Sequence, residues 1–156
     1  MTTVPNIFNE DDINYLVNSP VVISSKYLFT ISDIALFSMQ VKITDSIRAA
    51  LQTQLGINDN YEALPMRWVR GDTAAHTDTG FTPFTKSYLI YLNDNSGSLV
   101  IGEDNDAISY PITANTAYII DYGVTYKTEN TGIALQLLVG PMSEIGAPVN
   151  VVVNYM

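Results

Sequence analysis

Two hydrophobic periods divide this chain. Up to about residue 56 apolar positions recur every three or four residues, and from about residue 62 they alternate or form short runs between turn residues. Asn9-Glu10-Asp11-Asp12 reads as a helix start, a capping Asn followed by acids that suit the positive end of the helix dipole. Ile13, Leu16 and Val17 give that helix one apolar stripe, Pro20 marks its stop, and 21–23 is a short strand. A long helical region is expected over 32–55, from Ile34, Phe37 and Val41, then Ile43, Ile47, Ala50 and Leu51, with Gly56 as its C-terminal cap. The two stripes are out of phase, which places a kink or break near 42–44.

After the loop at 58–60 the pattern predicts short strands over 66–69, 75–78, 87–92, 98–101, 107–112, 117–121, 133–139 and 149–154. Turn signals such as Asp94-Asn95-Ser96-Gly97 and Glu129-Asn130-Thr131-Gly132 separate them. Helices followed by many short antiparallel strands imply an α+β domain built on a sandwich or jelly-roll barrel. With no internal repeat or linker, residues 1–156 read as a single domain, with helical support over about 9–56 and a β core over about 62–156.

Composition narrows the function classes. The 156 residues, 47% hydrophobic, suit one globular core. The net charge of −9, with seven Lys and Arg in all, argues against nucleic acid, whose phosphates require a basic face. No cysteine is present, so disulfides, thiolate metal sites and cysteine nucleophiles are excluded. No apolar run has the length of a membrane span, and the N-terminus lacks a signal-peptide pattern, so the expectation is a soluble, intracellular protein away from membranes. Serine hydrolysis lacks the Gly-x-Ser-x-Gly turn that would present a nucleophile. Arg70-Gly71-Asp72 spells an adhesion tripeptide and is read as chance, with Gly71 serving a tight turn.

The single histidine lies in His76-Thr77-Asp78. On a strand, alternate residues face the same way, roughly 6.5–7 Å apart along the backbone. An imidazole and a carboxylate so placed are two corners of the 2-His-1-carboxylate triad that holds non-haem Fe(II).

The surrounding segment MRWVRGDTAAHTD (66–78) resembles the first iron-binding strand of prolyl 4-hydroxylase-type 2-oxoglutarate/Fe(II) dioxygenases, with Trp68, Gly71, His76 and Asp78 in the matching places. Tyr91-Leu92-Asn93 looks like that family's strand ending. Ser96-Gly97-Ser98-Leu99 stands at a Gly-Gly-Glu-Thr-like turn, and Tyr110-Pro111 with Asn115 at a Pro-x-x-Gly turn, Asn replacing the glycine. The resemblance covers about 45–138. It implies a double-stranded β-helix, jelly-roll or cupin-like, supported by N-terminal helices, with Fe(II) and 2-oxoglutarate as cofactors if the site is intact.

The resemblance also marks departures. It places a second iron histidine near Tyr126 and a basic 2-oxoglutarate anchor near Ala134 or Gln136, yet beyond Lys127 the chain has no His, Lys or Arg. A buried dicarboxylate without a cation is costly. Tyr126, Asp121 or Glu129 would have to replace the histidine, and Lys86, Tyr88 or Tyr91 the anchor; packing and solvated roles are the simpler reading of each.

The favoured expectation is a non-catalytic binding or structural module without cofactor. In it His76 and Asp78 are a vestigial metal pair in a pocket lined by Trp68, Tyr88, Tyr91 and Tyr126. The alternatives are an active oxygenase with an unusual third ligand, and a metal-free barrel that binds a small ligand. The partner is a protein or small molecule. Residues 149–155 are β-prone and offer an edge for a homo-oligomer, although an ordinary last strand is the commoner explanation.

Overall fold

The computed structural model describes residues 1–80 and 82–150. The chain opens with strand β1 (Thr2–Pro5) and helix α1 (Glu10–Val17). The Asn9 side chain caps α1 by accepting from the Asp12 amide at 2.8 Å, as the acidic start predicts. Pro20 begins the next helix instead of ending the first: α2 spans Pro20–Thr30 with Pro at its first turn. A proline there has no amide to waste and a φ already suited to helix, so 21–23 is helical and not a strand.

The expected long helix is two elements, strand β2 (Leu36–Lys42) and helix α3 (Asp45–Leu55). The phase slip is a change of period. Phe37, Met39 and Val41 alternate toward the core as strand residues, and Thr44 then caps α3 by accepting from the Ile47 amide at 3.1 Å. Gly56 closes α3 in the left-handed conformation at φ 70°.

The remaining strands are β3 (Ala63–Arg70), β4 (Lys86–Tyr91), β5 (Ser98–Ile101), β6 (Ile108–Pro111), β7 (Thr116–Asp121), β8 (Tyr126–Glu129) and β9 (Leu135–Met142). Six strands form one antiparallel sheet in the order β1-β7-β4-β9-β3-β2, and three form a second in the order β6-β5-β8. Both edges of the large sheet come from the N-terminal region, which is therefore part of the β framework as well as its helical support. Of the strand expected over 75–78, only a bridge survives, His76 opposite Tyr126. In the last expected strand, 149–154, residues 151–154 lie outside the described residues.

Two cores result. One lies between the large sheet and the helices and includes Leu16, Phe29, Leu51, Met66, Trp68 and Ile90. The other fills the space between the two sheets and includes Val69, Leu89, Tyr91, Leu99, Tyr118, Tyr126 and Leu138. Asn115 adopts φ 57°, the left-handed turn geometry that asparagine tolerates best after glycine, and its amide clasps the Phe8 backbone on both sides. Among the described residues no helix is long and apolar enough to cross a membrane.

Candidate functional site between the two sheets

Strand pleat decides which side chains reach the site. On β3, Met66 and Trp68 face the helices, whereas Arg67 and Val69 face the second sheet. On β4, Tyr88 and Ile90 face the helices, whereas Leu89 and Tyr91 face inward. Trp68 and Tyr88 are thus not in the pocket. Trp68 instead donates its indole N–H to the Val22 carbonyl and the Ser25 hydroxyl of α2, both at 3.2 Å. Lys86 shares the parity of Tyr88, is exposed at the start of β4, and does not line the cavity.

His76, Asp78, Tyr91 and Tyr126 do converge. Paired backbone hydrogen bonds of 3.0 and 2.9 Å hold His76 against Tyr126, and their rings lie 4.4 Å apart. The Tyr126 hydroxyl points into the Asp78 carboxylate, 2.7 and 2.8 Å from its two oxygens. His76 Nε2 is 3.4 Å from the same carboxylate, and its Nδ1 lies 2.9 Å from the Ala74 carbonyl. Since a carbonyl only accepts, Nδ1 carries a proton.

The electrostatics follow from these contacts. The Asp78 hydrogen bond raises the His76 pKa above its usual value, against the effect of burial. Burial pushes the Asp78 carboxyl up, but hydrogen bonds from His76, Tyr126 and Ser87 outweigh it and hold it below the usual range. Burial first, then the Asp78 charge, push the Tyr126 phenol well above its usual value. The group is therefore an imidazole whose charged form is favoured and a neutral phenol, both arranged around one buried carboxylate.

Sequence reasoning missed Arg67. It is 6% exposed, lines the same cavity, and donates from Nη2 to the Asn150 carbonyl at 2.8 Å, while its Nε has no partner. Burial lowers its pKa, opposed by the potential of Tyr126 and Asp78. With Trp68 expected in the pocket, pleat parity would have turned Arg67 away from it, so only the sheet pairing brings Arg67 to the site. The residue expected at the anchor position, Gln136, is a buried neutral amide whose Oε1 is unpartnered. Arg70 and Asp72 have structural partners. The Arg70 guanidinium reaches the Phe29 and Ser32 carbonyls, and Asp72 accepts from the Thr131 amide and hydroxyl.

Fe(II) is the group this type of site implies. Two ligands bound at about 2.1 Å to one ion lie roughly 3 to 3.4 Å apart, so the His76–Asp78 spacing suits two corners. The third corner does not fit. Tyr126 holds its proton and spends it on Asp78, and Arg67 adds a buried positive charge beside any cation. Among the described residues no cluster of three His, Cys, Asp or Glu could hold a metal ion. The cavity measures about 40 Å³, room for roughly three water molecules and too little for 2-oxoglutarate.

No protein-family model and no curated protein matches the sequence. Solved structures do resemble the fold. A Pseudomonas putida prolyl-4-hydroxylase shares 13% identity at TM-score 0.52, with 88% of each chain covered. A 2OG-Fe(II) oxygenase family oxidoreductase from Burkholderia pseudomallei shares 9% identity at TM-score 0.57, covering 94% of this chain and 87% of that one. A Trichoplax adhaerens prolyl hydroxylase, solved with a hypoxia inducible factor oxygen degradation domain peptide, shares 8% identity at TM-score 0.62, covering 88% and 80%. The chain carries the double-stranded β-helix fold of the 2-oxoglutarate/Fe(II) oxygenases.

Proposed function

We propose that this protein is a non-catalytic binding or structural module on an oxygenase-type double-stranded β-helix. The observation that carries the reading is the Tyr126 hydroxyl lodged against both oxygens of Asp78, at 2.7 and 2.8 Å. A metal-binding carboxylate needs a free lone pair toward the ion, and a third ligand needs one of its own. Tyr126 competes for the Asp78 oxygens, and its protonated phenol is a far poorer donor to a metal than the imidazole it would replace. The small cavity supports the same reading, since a co-substrate would have to displace Tyr91, Tyr126 or Leu138 from the core between the sheets.

A second reading is favoured by Arg67, a buried guanidinium beside His76 with an unpartnered Nε. In that reading the protein is an active oxygenase in which Tyr126 replaces the second histidine. One experiment separates the two. The protein is mixed anaerobically with Fe(II) and 2-oxoglutarate, the charge-transfer absorbance is recorded, and succinate is measured after oxygen is admitted. The module reading expects no band and no succinate. Succinate that disappears in His76→Ala and Tyr126→Phe would overturn it.

A further inference from the structure

A broad concave surface lies on the opposite face of the large sheet, away from His76. Helix α2 is apolar on two sides. Val22 and Phe29 are buried against the core, while Ile23, Tyr27 and Ile31, spaced four residues apart, form a second stripe that is 46%, 75% and 81% exposed. That stripe forms one wall of a groove of about 770 Å³. The floor is Trp68 with Leu92, Leu135 and Leu137 from the end of the sheet. Apolar clefts of this size with few polar groups are the usual form of small-molecule sites.

Charge selects the occupant. Lys26 is the single charged residue among those that line the groove, in a chain of net charge −9. Its ammonium stands 5.6 Å from the centre of the Trp68 ring, and among the described residues no carboxylate lies within ion-pair distance of it. An amphiphile with a single negative charge at one end satisfies both features, since its chain covers the exposed stripe and its head meets the lone cation. We propose that this groove binds a medium-chain monocarboxylate, its chain lying between Ile23, Ile31 and Leu135 and its carboxylate against Lys26. The inference is independent of whether the His76 site is catalytic.

Trp68, the only tryptophan, sits in the groove floor and reports on it directly. The test follows Trp68 emission of the full chain titrated with decanoate below its micellar concentration, beside octanoate and decanol. A saturable change is expected, with octanoate weaker by about tenfold for its two missing methylenes. Decanol should be weaker by about fivefold for the missing ion pair, and Lys26→Met should abolish that acid-over-alcohol preference. Ile31→Asp should weaken decanoate at least as much as Lys26→Met does. Both substitutions are at exposed positions, and far-UV circular dichroism confirms their folding. No saturable response, equal affinity for acid and alcohol, or full decanoate binding by folded Ile31→Asp would overturn the proposal. So would sedimentation showing a dimer that Ile31→Asp dissociates and decanoate leaves intact, since a second copy of the chain would then be the occupant.

Discussion

Tyr126 donates its hydroxyl to Asp78, 48 residues away in sequence, in the core between the sheets, with the phenol oxygen 2.7 and 2.8 Å from the two carboxylate oxygens. The contact fixes the strand that carries Tyr126 to the segment that carries His76, and it keeps a buried charge satisfied. A hydrogen bond to a charged group contributes roughly 1.5–3 kcal/mol. Tyr126→Phe is therefore expected to destabilise the fold by about that amount, measured by urea denaturation. An unchanged midpoint would show that Ser87 and His76 alone satisfy the carboxylate.

Replacing the same residue by histidine has the opposite chemical sense. Tyr126→His removes a proton donor and places a second imidazole beside His76 and Asp78. Metal affinity depends on ligand number and geometry, so Co(II) or Zn(II) should bind this variant at least about tenfold more tightly than the parent by calorimetry. Equal weak binding by both proteins would show that Arg67 or the backbone, and not Tyr126, bars the third corner.

The His76–Asp78 pair gives stability a defined pH window. Asp78 has a folded pKa below its usual 3.8, so its contribution is complete above that value and is lost as pH falls through the lower folded pKa. His76 has a folded pKa above its usual 6.5, so its contribution is complete below 6.5 and is lost as pH rises through the higher folded pKa. The pair therefore stabilises most between pH 3.8 and 6.5. The melting-temperature difference between the parent and His76→Gln should be largest in that interval and shrink on both sides. A difference that grows toward alkaline pH would contradict the assignment of charges.

Gly97 supports the second sheet by close approach. A Cβ there would meet the Glu129 carbonyl at 2.6 Å and the Thr131 Cα at 2.8 Å, both backbone atoms. Gly97→Ala should cost about 1–3 kcal/mol, read from thermal or urea unfolding. Gly123→Ala, where nothing lies within 4 Å of the added carbon, separates this clash from backbone strain, since Gly123 sits at φ 83°.

Local signals in the sequence determined much of this protein. Asn9 and Gly56 mark helix ends through side-chain or φ requirements that act within one turn, whereas the Thr44 cap emerged only with the structure. Turn residues and alternation located most strands, and the order of Trp68, Gly71, His76, Asp78 and Asn93 indicated the β-helix. Where two periods met within a few residues, as at Phe37 to Ile47, periodicity alone joined a strand and a helix into one element. Only the tertiary structure decided which face of each strand met which layer. That choice turned Trp68 and Tyr88 toward the helices, brought Arg67 unannounced to the site, and set Tyr126 against Asp78. Pleat parity is fixed by sheet pairing between distant segments, and no local pattern in the chain carries that information.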